Sequence, residues 1–178
     1  MTTKISGSTG ITMPDGTTSA SVGRARIVDQ KASGTSAGTS SAATTQTRSL
    51  NTIILNDIGM TNPADGQFVL QPGTYLIEAE APALNSGNHK AFIATTAAQT
   101  VPADPSLVGT SAYSYDSAST ASLTMSKIKG RITVATATAF CLRHYTSTSQ
   151  ATSGLGAATG LGASFPEVYS TVDITKEK

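Results

Sequence analysis

The feature that most constrains this chain is a succession of short segments in which apolar and polar residues alternate, each bounded by Gly, Pro, Asn or Asp. Alternation with a period of two is the pattern of a half-buried β-strand, and closely spaced turn residues are typical of sandwiches and barrels. No window of helical length keeps apolar residues three and four positions apart. An all-β domain of eight to nine strands is therefore predicted. The candidate strands are residues 24–29, 50–56, 67–71, 74–81, 90–96, 107–115, 121–134, 137–145 and 167–175.

The composition supports the same fold class. Thr, Ser, Ala and Gly fill 92 of the 178 positions, and charged residues make up only 13%. Thr suits a pleated surface, whereas Leu, Glu and Lys, which build amphipathic helices, are scarce. The chain is long enough for one domain with its own core. Because Cys141 is the only cysteine, an intrachain disulfide and any multi-cysteine zinc site are excluded.

Charge and hydropathy argue against two classes of partner. The net charge is +1, which gives no overall field toward nucleic acid or an anionic membrane surface. No segment approaches the roughly 20 consecutive apolar residues of a membrane span, and residues 1–16 have no apolar run of signal-peptide length. We therefore expect no nucleic-acid partner and no membrane insertion, and we expect synthesis in a cytoplasm without Sec export.

Two candidate strands indicate which side chains are buried. The face of segment 74–81 that we predict to point into the core carries Tyr75, Ile77, Ala79 and Ala81. One face of the last segment carries Val168, Ser170, Val172 and Ile174. A C-terminal strand as apolar as this one is predicted to lie inside a sheet rather than at its edge.

Three low-complexity stretches are predicted to lie outside the sandwich. Residues 1–22 are rich in Gly, Ser and Thr and have too few apolar residues to cover a core, so we predict an extended N-terminal arm followed by a domain at 23–178. Residues 32–47 have no large apolar side chain and are predicted to form a long surface loop. The segment GLGAATGLG (154–162) is predicted to be a tight loop, with contact between its backbone and a ligand as the alternative.

Six segments together resemble a known family. They are IVDQKASGT (27–35), TRSLNT (47–52), FVLQPGTYLIEAEAPA (68–83), HKAFI (89–93), FCLRHYTST (140–148) and GLGAATGLGASFPEVYSTVDITKE (154–177). Their order and spacing over residues 24–178 are similar to those of bacteriophage virion proteins, from tail or head fibres and decorations, that carry a tumour-necrosis-factor/complement-like jelly roll. The opening ITMPDGTT also resembles linkers that begin phage fibre modules.

The resemblance implies a fold, an assembly and a role. The fold is an antiparallel two-sheet jelly-roll sandwich, and the assembly is a homotrimer held to other virion proteins through residues 1–22. The role is that of a non-enzymatic structural protein, located in the virion and displayed as a fibre tip or head decoration. The alternative is a receptor-binding adhesin that recognises a host surface glycan. The candidates for the trimer interface are Tyr75, Phe92, Phe140, His144 and Tyr169. We expect only some of them at the interface and the others in the core of the sandwich.

One strand has a local excess of positive charge. Lys127, Lys129 and Arg131 alternate with apolar residues or Gly and share one face, and no acid occurs between residues 117 and 166. Two interpretations stay open. The cations mark a solvated edge strand and prevent edge-to-edge pairing, or they form a patch for acidic glycans that Arg143 joins from a neighbouring strand.

Few residues are available for catalysis. Cys141 lies on the strand face opposite to His144, so the two cannot form a dyad within that strand, and we expect a buried thiol. Glu78 and Glu80 share one strand face, a geometry in which a glycosidase pair is conceivable, but any exposed strand with two acids has the same pattern. The sequence therefore assigns no catalytic residue, metal ligand or cofactor.

Overall fold

The computed structural model describes residues 4–6, 10–12, 18–19, 22–117 and 120–177. Within these residues the structure is β-strands and loops with one 3-10 turn, Pro105–Leu107, and it contains no α-helix. The strands are β1 (Lys4–Ser6), β2 (Gly10–Thr12), β3 (Thr18–Ser19), β4 (Gly23–Lys31), β5 (Thr44–Thr47), β6 (Thr52–Asn56), β7 (Gln67–Leu70), β8 (Gly73–Leu84), β9 (Gly87–Thr95), β10 (Ala112–Ser114), β11 (Asp116–Ser117), β12 (Thr120–Ala121), β13 (Leu123–Val134), β14 (Thr138–Thr146) and β15 (Glu167–Lys176).

Two antiparallel sheets form the sandwich. One has the order β13-β8-β15-β4-β6 and the other the order β10-β9-β14-β7. The chain passes from one sheet to the other between β6 and β7, between β7 and β8, and between β8 and β9. It crosses again between β13 and β14 and between β14 and β15. Repeated crossing between two antiparallel sheets is the connectivity of a jelly roll. The predicted all-β jelly-roll sandwich is confirmed.

The core lies between the two sheets and follows the predicted faces. Tyr75, Ile77, Ala79 and Ala81 of β8 are all buried. Phe140 of β14 stacks on Phe68 of β7 with 5.8 Å between ring centroids. The last strand, β15, is the central strand of the five-stranded sheet, as predicted.

Two details of the predicted strands are wrong. Val168 is exposed because β15 contains a bulge between Val168 and Thr171, which adds one residue relative to β4 and reverses the alternation of side chains. Of the predicted strand at 107–115, only β10 is a strand. Leu107 ends the 3-10 turn, whose N-cap is Asp104: the Asp104 carboxylate accepts a hydrogen bond from the Ser106 N–H at 2.8 Å.

The predicted surface loop at 32–47 is also partly wrong. It contains strand β5, and Ser40 is fully buried. This stretch and the Gly-rich stretch 154–162 pair with each other through their backbones. Leu155 N–H donates to Gly38 O at 3.0 Å, and Ala37 N–H donates to Gly156 O at 2.9 Å. Small side chains allow this approach, since a Cβ at Gly156 would overlap the ring of Tyr169.

Parts of the predicted N-terminal arm are described. β1, β2 and β3 pair with one another as a small antiparallel sheet. The rest of the predicted arm up to residue 21 lies outside the described residues, so the domain boundary stays a prediction. β11 and β12 form a separate two-stranded sheet before β13.

Candidate interaction surface

The candidates for the trimer interface lie in the interior of the chain. All five predicted side chains are buried within a single copy of the chain, with at most 7% of their surface exposed. Tyr75 donates its hydroxyl to Gln71 O at 2.8 Å, and Tyr169 donates to Thr35 O at 2.8 Å. These side chains therefore leave little surface for a neighbouring copy, and their burial fits the core location that the sequence left open for some of them. The five residues are Tyr75, Phe92, Phe140, His144 and Tyr169.

His144 belongs to a buried polar chain that sequence reasoning missed. Its Nε2 lies 3.0 Å from His89 Nδ1, and His89 Nε2 lies 2.8 Å from Thr124 Oγ1. Burial, reinforced by the positive charge of Arg48, lowers the pKa of His89 to about 4 and holds the pKa of His144 well below its usual value. Both imidazoles are therefore neutral near pH 7 and serve as hydrogen-bonded core residues.

Each cation of the predicted cationic face has a carboxylate partner in the chain. Strand β13 is an edge of the five-stranded sheet, as one of the two interpretations expects, and its partner β8 supplies two of the three acids. Lys129 Nζ lies 2.7 Å from Glu78 Oε1, and Lys127 Nζ lies 4.0 Å from Glu80 Oε2. Arg131 Nε donates to Glu177 Oε2 at 2.5 Å. The charges of this face are therefore paired within the chain, although the side chains stay largely exposed.

Arg143 does not join this face. It lies on β14, in the other sheet. Its guanidinium donates to Thr47 Oγ1 at 2.5 Å and to Thr45 O at 2.9 Å, so it fastens strand β5 to β14. Lys127, Lys129 and Arg131 therefore share the exposed face of β13 as predicted, and Arg143 is separate from them.

The opposite edge of the five-stranded sheet is apolar. Strand β6 presents Ile53, Ile54 and Leu55 in succession, and all three are exposed, Ile54 to 55%. β6 has β4 on one side, and no other described strand pairs with its second side. An uncovered edge with aliphatic side chains is a surface that native proteins ordinarily protect.

A groove of about 790 Å³ lies on the same sheet. Its floor includes the charged side chains of β8 and β13, and the segment 105–110 forms its wall. One register row crosses the sheet here from Lys129 through Glu78 and Asp173 to Arg26. Arg26 Nη1 lies 3.7 Å from Asp173 Oδ1. The face is therefore polar and close to charge balance.

The outward face of the four-stranded sheet carries a second concave surface, of about 430 Å³. Tyr145 on β14 and Lys90 on β9 are direct cross-strand partners at its rim. Phe92, Val101 and Val108 supply apolar lining. Tyr113 and Tyr115 are exposed on the same side of the chain, with their rings in T-shaped contact.

The described residues include few groups that would indicate a catalytic site. Cys141 is buried, and its Sγ contacts Ala94 O at 3.7 Å. Burial raises the pKa of this thiol, so it is not an activated nucleophile. The described residues contain no cluster of His, Cys, Asp or Glu able to hold a metal. In the part of the chain that is described, no helix is long and apolar enough to cross a membrane.

Comparisons with known proteins identify the fold. No protein-family model and no curated protein matches the sequence. The globular domain of zebrafish complement 1qA is similar over 89% of this chain and 98% of its own, with a TM-score of 0.53 and 12% identity. Its fold is a tumour-necrosis-factor/complement-like jelly roll. Murine APRIL is similar over 88% of this chain and 99% of its own, with a TM-score of 0.51 and 6% identity.

Proposed function

We propose that this protein is a non-enzymatic structural module of a bacteriophage virion, which assembles as a homotrimer and is displayed as a fibre tip or head decoration. The jelly-roll fold and the six segments that resemble phage virion proteins support the proposal. The buried thiol of Cys141 and the ion-paired carboxylates of Glu78 and Glu80 fit a role without catalysis.

The observation that carries the trimer is the apolar edge strand β6. Ile53, Ile54 and Leu55 are the longest run of exposed aliphatic residues in the described chain. Burying such side chains contributes about 25 cal/mol for each Å² removed from water, before the cost of association is subtracted. A second copy would both remove these side chains from water and cover the unpaired strand edge.

The groove on the five-stranded sheet is the surface that we propose receives β6 of the next copy. The groove and β6 are different parts of one chain, so the contact is heterologous and closes into a ring when its rotation allows. Val108 is a partly exposed apolar residue of the groove, and it lies among charged side chains that are already paired within the copy, such as Lys129 with Glu78. Strand β6 and this groove form the proposed interface in place of the five candidates from the sequence, which are buried within one copy.

Attachment to the particle is proposed to use residues 1–22. This stretch leads directly into β4, which lies next to β6 in the sheet. Val22, the last residue before β4, is exposed. The arm would therefore leave the domain beside the proposed interface and reach other virion proteins.

Light scattering of the full-length protein tests the trimer. The wild type should have three times the mass of one chain, and the double variant Ile54→Lys/Leu55→Lys should have the mass of one chain with an unchanged far-ultraviolet spectrum. Leu161→Lys is the matched control, since Leu161 is 73% exposed and lies in a loop. A monomeric wild type, or a double variant that still has the triple mass, would refute the interface.

The virion role has its own test. Particles from a host that produces the protein are purified and analysed by mass spectrometry, with and without residues 1–22 in the gene. The proposal expects the full-length chain in the particles and loss of the truncated chain from them. Equal incorporation of both forms would show that the arm is not the anchor, and absence of the full-length chain would remove the virion role.

A second candidate function is a receptor-binding adhesin for a host surface glycan. The observation that favours it is the concave surface of about 430 Å³ on the four-stranded sheet, which combines an exposed tyrosine ring with a lysine. Of the residues first suggested for glycan contact, Lys127, Lys129 and Arg131 have carboxylate partners within the chain, and Arg143 donates to Thr47 of strand β5.

A further inference from the structure

We propose that the concave surface between β9, β14 and the segment 101–112 binds an acidic saccharide, with Tyr145 as the platform for the sugar ring and Lys90 as the partner of its anionic group. The inference deepens the adhesin candidate and does not depend on the trimer or on attachment to a virion. It assigns a binding role to Lys90, Asn88 and Tyr145, which the sequence did not single out.

The shape of the surface suits a small polar ligand. Its volume of about 430 Å³ lies within the usual range of small-molecule sites, about 300–1,000 Å³. Phe92 is 3% exposed and forms a rigid part of the lining, while Val101 and Val108 border it. Sites of this kind are mostly apolar, with a few polar groups that fix the orientation of the ligand.

The strand register fixes the relation between the two principal residues. Tyr145 lies directly opposite Lys90 in the antiparallel pair of β14 and β9. Their neighbours His144 and Ala91 are buried in the core, so Tyr145 and Lys90 point away from it. Directly opposed residues in such a pair have Cβ atoms about 4.5–5.5 Å apart, close enough for both to contact one sugar unit.

Charge indicates an anionic ligand. Lys90 forms no ion pair with the described residues, whereas Lys127, Lys129 and Arg131 each have a carboxylate partner. Among the described residues that line the surface there is no acid. A carboxylate or phosphate on a bound sugar would give the Lys90 ammonium group a charge-assisted hydrogen bond, the stronger kind of polar contact.

The remaining lining residues suit a carbohydrate. The Tyr145 side chain is 37% exposed, and a tyrosine offers an apolar ring face together with a hydroxyl group. The apolar C–H face of a pyranose ring packs against such a ring. Thr45, Ser111 and Asn88 add hydroxyl and amide groups around it, which are the partners that sugar hydroxyls require.

Most of the surface lies away from the proposed trimer contact. It is on the outward face of the four-stranded sheet, whereas β6 and the charged floor of the groove of about 790 Å³ belong to the five-stranded sheet. The two surfaces meet at Val108, which lines both. Tyr113, opposite Asn88 in the pair of β10 and β9, extends the same outward face toward the end of the sandwich. A longer glycan chain would continue over this tyrosine.

Titration calorimetry of the full-length protein with two matched disaccharides provides the test. Cellobiouronic acid and cellobiose differ only by a carboxylate in place of a hydroxymethyl group, and glucose 6-phosphate is the phosphate-bearing probe. The wild type should bind the acidic disaccharide at least tenfold more tightly than cellobiose. A comparable gain for glucose 6-phosphate over glucose would make phosphate the anion that the site selects, and absence of that gain would make it carboxylate.

Three variants separate the parts of the proposed site. Lys90→Gln should reduce the preference for the acidic disaccharide to less than threefold, and Tyr145→Thr should weaken the acidic and the neutral disaccharide alike by at least tenfold. Thr is chosen because it suits a strand, and Lys90→Gln tests the site even where Tyr145→Thr does not fold. Lys129→Gln, on the other sheet, is the control and should change neither affinity.

Two results would overturn the inference. One is no binding of either acidic probe at millimolar concentration, and the other is an equal loss of affinity with Lys90→Gln and Lys129→Gln. Because mass and incorporation into particles are not measured in this titration, such a result would leave the proposed trimer and virion role standing. Conversely, a monomeric protein that binds the acidic disaccharide through Lys90 would keep the inference and remove the trimer.

Discussion

His89 and His144 are hydrogen-bonded to each other inside the sandwich, with 3.0 Å between His89 Nδ1 and His144 Nε2. Only one proton can lie between these two nitrogens, so one imidazole donates and the other accepts. Two imidazolium ions would direct N–H groups at each other and lose the bond. The pair is therefore compatible with the fold only while at least one of the two rings is neutral.

We predict that this pair makes the protein sensitive to mild acid. Burial lowers the pKa of His89 to about 4 and holds the pKa of His144 well below its usual value, whereas both titrate near 6.5 in the unfolded chain. The unfolded state therefore binds protons first as the pH falls, and stability is present above pH 6.5 and lost from there toward pH 4. Each histidine contributes a slope of at most about 1.4 kcal/mol per pH unit, measured by urea unfolding from pH 7.5 to 4.5.

The control for this prediction is the double variant His89→Gln/His144→Gln. It should be less stable than the wild type at pH 7.5, because it repacks a buried pair, but its free energy of unfolding should change less between pH 6.5 and pH 4.5. A wild-type free energy of unfolding that is the same at pH 7 and pH 5 would contradict the assignment of neutral buried rings.

We predict that Arg48 is essential for stability even though it is a buried cation. Its Nε donates to Ser170 Oγ at 2.7 Å, and its two other nitrogens donate to Leu155 O at 2.7 Å and Pro82 O at 3.3 Å. Arg48→Lys keeps the charge but cannot reproduce the planar fork, so at least one of these acceptors loses its partner. The expected loss is about 1–3 kcal/mol in the free energy of unfolding by urea. An unchanged urea midpoint would show that the fork is dispensable.

The alternation of apolar and polar residues along the strands determines how much of this structure can be predicted from the sequence. Alternation tells which side chains of a strand share a face, and for β8 it places Tyr75 and Ile77 in the core correctly. It does not tell which strand is the neighbour. Glu78 and Lys129 are far apart in sequence and become partners only through the register of β8 and β13. The cationic face was therefore visible in the sequence, and its neutralisation was not.

Because alternation does not tell which strands are neighbours, the sequence also failed to predict the proposed saccharide site and strand β5. Lys90 and Tyr145 are ordinary strand residues until the pairing of β9 and β14 sets them opposite each other. Strand β5 has only Thr and Gln, so no hydrophobic pattern marks it. It is held instead by backbone and side-chain bonds to β14, such as those of Arg143. A single extra residue at Val168 likewise reverses a face without any signal in the alternation.

We predict that the ion pair of Lys129 and Glu78 contributes little to stability despite its short distance. Both side chains are at least half exposed, and pairs of this kind contribute about 0.2–1 kcal/mol. A double-mutant cycle with Lys129→Gln and Glu78→Gln in urea should give a coupling energy in that range. The coupling should decrease in 0.5 M NaCl, since salt screens exposed charges. A salt-independent coupling above 2 kcal/mol would contradict the exposed geometry.

We predict that the carboxylate of Glu167 holds the stretches 32–47 and 154–162 together. Its Oε1 accepts hydrogen bonds from the backbone N–H groups of Gly160, Gly34 and Thr159 at 2.8, 3.1 and 3.1 Å, and its Oε2 accepts one from Thr159 Oγ1 at 3.1 Å. These bonds, led by the one from Gly160, lower the pKa of the Glu167 carboxyl to about 2. The stabilisation is therefore present above pH 4.5 and is lost as the pH falls toward 2.

Glu167→Gln removes the charge and should increase amide hydrogen exchange at Gly34, Thr159 and Gly160 at pH 7, with little change in β8. Glu78→Gln is the matched control, since Glu78 lies in β8 and is half exposed in its ion pair. Equal exchange at the three amides in Glu167→Gln and in the wild type would show that the loops are held by their backbone pairing alone.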